Sequence, residues 1–304
     1  KAEEHILKSY EYRQIYESYI TDIYYAKLLN CTKEYDKGLK YAQAALIKST
    51  TNFSDTNIKK NPNRFDEFDN PRWTALALKA KTKLLISKYQ LTNKTELLNL
   101  ARQTNQIAID LLTQLQVYNR GYETEKLYDN ETISQALQLS QDIEYQQYLL
   151  TPNKKQLNTL FKITERCKSL TLLENITPEQ LPETVAKEEE RLINQVGTLE
   201  QNVFTLDKSE KDTLAFYQNL LTKAAYELEN YQTFLLEEYP KQVTASYHFA
   251  YINIETIQKN LPKETLWIEY AYNETKTLLY IYCINKTTAS VQTVPITNDF
   301  FDDI

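Results

Sequence analysis

Three glycines in 304 residues set the first limit on what this chain can become. Glycine supplies the positive backbone angles of tight hairpin turns and lets a backbone close around a phosphate. A chain this poor in it is badly suited to a turn-dense β architecture or a glycine-rich nucleotide loop. Long helices joined by short polar connections need little glycine. Over most of the length the apolar residues recur at the spacing of such helices. The chain is therefore expected to be mainly α.

Residues 8–30 place Tyr16, Ile20, Ile23, Tyr24 and Leu28 on one helical stripe, and a break at Cys31-Thr32 precedes a second helix over 33–48. In that helix Gly38, Ala42 and Ala45 fall on one face, opposite Tyr25, Ala26 and Leu29 of the first. Small residues there let paired helices approach closely, which is the tetratricopeptide pattern. The polar stretch 50–70, with Pro62, reads as a loop. Asn70-Pro71 then reads as an N-cap and first turn. Trp73, Leu76, Ala77, Ala80 and Leu84 form the next stripe, and Ala101 and Ala108 of its partner repeat the spacing of Gly38 and Ala45. Residues 1–120 are thus expected to be tetratricopeptide-like helical repeats, a short array of the solenoid kind. A further helical pair is expected within 121–181, split at Thr151-Pro152 and followed by a capping box at Thr177-Pro178-Glu179-Gln180.

The pattern sharpens over 182–240. Leu192, Val196, Leu199, Val203 and Leu206 step by four and three, and so do Leu214, Tyr217, Leu221, Ala224, Leu228, Tyr231 and Leu235. Two such runs with a polar break, capped by Ser209 and Asp212, predict an antiparallel coiled-coil hairpin with its charges outside. Past Pro240 the period changes to two. Leu266, Ile268 and Tyr270 alternate with Trp267 and Ala271, then come Leu278 to Ile284 and the run SVQTVP, with turns at NET and NKTT. Three strands without a covering layer are marginal. Residues 241–304 therefore read as the first strands of an incomplete α/β domain, and the chain, which begins at Lys1, as a piece of a longer protein.

The net charge of −6 offers no electrostatic case for nucleic acid. No apolar run is long enough to span a bilayer. Cys31, Cys167 and Cys283 lie far apart, with no C-x-x-C and no His-x-His. That spacing points to buried free thiols rather than a metal site, to no cofactor, and to a reducing interior. The seven N-x-S/T triplets follow from a composition rich in Asn and Thr. His248 and Cys283 have to be weighed as a nucleophilic dyad, but neither stands in a glycine-bearing turn that would expose a nucleophile. Glu188-Glu189-Glu190 and Glu237-Glu238 read as solvated faces of the hairpin, and Asp302-Asp303 as a tail.

The whole order resembles the CHAT proteins, bacterial chains in which a tetratricopeptide array precedes a caspase-like domain. The most specific stretches are LFKITERCKSLTL before the hairpin, LEEYPKQVTASYHFAYINIETIQKNLPKETLWIEYAY after it, and LLYIYCINKTTASVQTVPI at the end. Glu269-Tyr270 and Leu279-Tyr280 occupy the places of the family's opening strands. The resemblance implies a cysteine peptidase whose His and Cys lie further downstream, so no catalytic residue is carried over to this chain. The expected role is the regulatory, partner-binding portion of such a peptidase. A protein or peptide would meet the helical array, and residues 240–262 would pass the event on. The alternative is a free-standing adaptor or scaffold. Export of the parent protein is left open.

Overall fold

A computed structural model describes residues 18–63, 70–118, 123–173, 181–206, 211–240, 242 and 253–296. Among these are the helices α1 (Ser18–Cys31), α2 (Tyr35–Lys48), α3 (Pro71–Thr92), α4 (Thr95–Tyr118), α5 (Glu123–Leu150), α6 (Lys154–Leu173), α7 (Glu183–Thr205), α8 (Lys211–Glu238) and α9 (Ile254–Asn260). The strands β1 (Trp267–Tyr272), β2 (Leu278–Ile284) and β3 (Ala289–Pro295) follow. The protein is mainly helical, with one small antiparallel sheet. Lys1–Thr113, Glu131–Ser169 and Tyr251–Ile304 form one compact unit, and Gln114–Asn130 with Leu170–Ala250 form a second.

In the first unit the helix pairs meet where the small residues fall. A Cβ placed on Gly38 would lie 2.6 Å from Leu84 Cδ2 and 3.3 Å from Leu29 Cβ, so a side chain there would force the Leu84 side chain to move. Ala26, Leu39, Ala42, Leu84, Leu98 and Ala101 are all fully buried in the resulting core. Asn70 caps α3 by accepting from the Trp73 amide at 3.4 Å, and Pro71 stands in the first turn. Asn93, at φ 54°, closes the same helix in the left-handed region.

The sheet runs in the order β1-β2-β3, with Ala271 opposite Tyr280 and Tyr280 opposite Thr293. Both turns are built without glycine. Asn273 Oδ1 accepts from the amides of Thr277 at 2.8 Å and Leu278 at 3.0 Å. Asn285 Oδ1 accepts from those of Thr287 at 2.9 Å and Thr288 at 2.7 Å. Short amide side chains that bond back to their own backbone replace the missing glycines.

One sheet face finds the cover that the sequence alone does not assign. Tyr280, Tyr282, Ile284 and Val291 share a core with Leu157, Leu160 and Phe161 of α6 and with Ile254 and Ile257 of α9. The Phe161 and Tyr282 rings meet edge-on at 5.3 Å, and those of Tyr145 and Tyr280 at 5.1 Å. The strands thus belong to the same compact unit as α1, α2 and α3. The other face carries Ile268, Tyr270, Tyr272 and Val294, which stay 41–53% exposed.

The second unit holds α7 and α8. Leu192 and Val196 pack with Ala224 and Leu228, and Tyr231 donates to the Val185 carbonyl at 3.0 Å, which is the expected antiparallel hairpin. Glu183–Lys187 and Glu188–Arg191 pairs line its outside at 2.6 and 2.8 Å. Glu189 departs from the expected solvated run, being only 6% exposed. It occupies the heptad position between Val185 and Leu192, and a charged residue in a core slot escapes a reading based on apolar spacing. The cap at Ser209 and the capping box at 177–180 lie outside the described residues, as do residues 8–17 of the first expected helix.

Candidate functional site

α3 carries lysines at 79, 81 and 83 within the run TALALKAKTKLLIS. All residues from Thr74 to Thr82 are buried. A helix apolar all round is a central one, so its polar exceptions must find partners inside the protein. At a hundred degrees per residue, Lys79 and Lys83 share a face and Lys81 points the opposite way.

Lys81 is fully buried, and its Nζ donates to Gln43 Oε1 at 2.6 Å, the Lys60 carbonyl at 2.7 Å and Asn61 Oδ1 at 2.8 Å. An ammonium has three donors and no acceptor, so this site is saturated. Burial pushes the group down to about 7. Three acceptors around one nitrogen nevertheless fit the protonated form, because a neutral amine has only two hydrogens to give. Gln43 in turn donates to the Asp55 carbonyl at 2.6 Å, and Asn61 to Thr104 Oγ1 at 2.9 Å. Phe53 and Pro62 are also buried. Residues 53–62 of the polar stretch after α2 are therefore pinned to α2 and α3, and Lys81 is their structural rivet.

Lys79 and Lys83 meet different surroundings. Lys83 Nζ pairs with Glu274 Oε1 at 2.5 Å, bringing the β1–β2 turn onto α3 across 191 positions of chain. Lys79 is 6% exposed and donates to Gln135 Oε1 of α5 at 2.5 Å. Burial, then Lys27 of α1 and Lys83, push the Lys79 ammonium down to about 8, against the pull of Glu274 and Glu131. Burial and Lys83 depress Lys27 in the same way. Next to these groups Tyr280 donates to Asp142 Oδ1 at 2.5 Å. Burial raises the Asp142 carboxyl to about 6, opposed chiefly by that hydrogen bond. Tyr145 and Thr293 share a further hydroxyl contact of 3.1 Å. Faces of α1, α3 and α5 thus converge with the β hairpin on three lysines that repel one another. Such an arrangement holds carboxylates.

The residues weighed from sequence fall elsewhere. Cys283 is half-buried in mid-strand, opposite Ile268 and Ser290. His248, His5 and Asp302-Asp303 lie outside the described residues. Cys167 is half-buried, and burial pushes its thiol up to about 12, far from the thiolate a nucleophile needs. Cys31, expected to be buried, is exposed, because it ends α1 where the chain turns toward α2. Glu237 and Glu238 are exposed. Among the described residues no cluster of three or more His, Cys, Asp or Glu is placed to hold a metal. None of the described helices is long and apolar enough to cross a membrane. Lysines set among the alanines and leucines of TALALKAKTKLLIS are the one signal in the sequence that could have marked α3 as carrying buried charge, though not the groups it meets.

Against family models, curated proteins and solved structures the chain finds no match.

Proposed function

We propose that this chain is the regulatory, partner-binding portion of a caspase-like cysteine peptidase of the CHAT kind, and is not itself catalytic. The helical pairs receive a protein or peptide, and the sheet opens the peptidase domain. The observation that carries this reading is the inequality of the two sheet faces. One is fastened to α6 and α9 through Tyr282 and Ile284, while Ile268, Tyr270, Tyr272 and Val294 leave an apolar surface on the other. A surface of that kind suits a further layer of the same domain. The fastened face, together with the Lys83–Glu274 pair, gives a route by which an event on the helices reaches the strands.

The test is made on the parent protein. Its sequence past Ile304 is read for a His and a Cys in turn contexts, and the Cys is replaced to confirm peptide-bond cleavage. Removal of α1 and α2 is then expected to change the rate of cleavage or its regulation. Cleavage with both unchanged contradicts the reading. A second reading, a free-standing adaptor, draws on the sheet and the repeats sharing one compact unit. The lack of a downstream dyad would favour it.

A further inference from the structure

Glu274 stands at the tip of a turn held by Asn273, yet its side chain is only 11% exposed because it is seated on Lys83. A turn tip ordinarily offers its charge to water. Among the described residues Lys83 is the one lysine of the cluster in an ion pair. Lys79 has the neutral amide of Gln135 as its hydrogen-bond partner, and Lys27 lies 5.1 Å from the centre of the Tyr24 ring. The cluster therefore holds more cation than Glu274 neutralises by contact. Burying like charges side by side is unfavourable unless something offsets it. The chain as a whole carries −6, so this positive patch is a local feature and not part of a general field.

We propose that Lys27, Lys79 and Lys83 form a binding site for a carboxylate-rich segment of a partner polypeptide, and that Glu274 is its internal stand-in. Partner and β1–β2 turn then compete for the same lysines. This rests on the partner-binding reading of the array and names the class of partner. A segment with several acidic side chains supplies carboxylates to Lys79 and Lys27 as well as to Lys83, which one glutamate does not. Glu274, once displaced, returns to solvent on an exposed turn at little cost. Binding on the helices is thereby converted into release of the hairpin.

The experiment uses the full chain and fluorescein-labelled hexaglutamate, with hexaglutamine as control and anisotropy as readout at low ionic strength. Wild type is expected to bind weakly and Glu274→Gln about ten-fold more tightly, because the internal competitor is gone. Adding Lys79→Gln and Lys83→Gln to that variant is expected to abolish the gain. Hydrogen exchange of amides 273–278 in wild type is expected to speed up when the peptide binds. Should the lysine variants fail to fold, the swap Lys83→Glu with Glu274→Lys keeps the internal pair and is expected to lose the peptide. Equal affinity of wild type and Glu274→Gln overturns the proposal. So does binding that survives loss of the lysines, or capture of a single-stranded oligonucleotide in place of hexaglutamate. These outcomes are read without any cleavage assay, so they stand apart from whether the parent is a peptidase.

Discussion

The two faces of the three-stranded sheet are made of similar residues and meet opposite fates. Tyr280 and Tyr282 are almost wholly buried, whereas Tyr270 and Tyr272 are 53% and 41% exposed. Hydrophobicity does not separate these pairs. The phenol hydroxyls do. A buried tyrosine needs a partner for its polar end. Tyr282 meets Thr164 at 2.6 Å and Tyr280 meets Asp142 at 2.5 Å. Helices α5 and α6 thus supply both an apolar bed and the two polar sockets that fix which face goes down. Alternation in a strand tells that two faces differ, and the matching helix decides which one is covered.

Breaking the covered face is expected to have the largest effect. Tyr282→Ala removes a fully buried ring set edge-on to Phe161, and is expected to destabilise the unit by about 4 kcal/mol. Urea titration followed by tryptophan fluorescence checks this, since Trp73 and Trp267 both lie in the unit that holds the strands.

Tyr280→Phe is expected to lose about 1.5 kcal/mol, because Asp142 forfeits its donor while staying half-buried. It also has a pH signature. Asp142 rises from its ordinary 3.8 to about 6, so between those values the native state holds a proton that the unfolded chain has released. From this group alone, stability falls as pH rises through that window and is recovered on acidification. The tyrosine hydrogen bond favours the carboxylate, so removing it is expected to widen the window upward. A set of urea midpoints between those pH values in wild type and variant reads the difference.

Thr164→Val leaves the Tyr282 hydroxyl without its partner at nearly constant volume, with an expected loss of about 1 kcal/mol in the same titration. The smallest effect is expected on the open face. Tyr270→Ser is expected to stay within about 0.5 kcal/mol of wild type. A larger loss there would mean that the exposed face is already covered, and the contrast between the faces would collapse.

Local rules recovered what local forces govern. The close approach at Gly38, the Asn70-Pro71 start of α3, the hairpin from Leu192 to Leu235 and the two asparagine turns were all readable, because each depends on residues a few positions apart or on one repeating period. The candidate site was not. Lys83 and Glu274, or Asp142 and Tyr280, meet only after the helices have stacked and the sheet has docked. Nothing in their own neighbourhoods announces the pairing. Lys81 shows the same limit from the other side: residues 50–63 were legible as polar but not as anchored, since Lys60 and Asn61 are held from α3.

The central claim is that the strands are fastened to the helices as one unit. Native-state hydrogen exchange followed amide by amide tests it most directly. The account expects the amides of β2 to open together with those of α3, in one cooperative event, and expects Tyr282→Ala to lower the protection of both together. If the β2 amides of wild type exchange at the rate of a free chain while α3 remains protected, the strands are not fastened and the account is wrong.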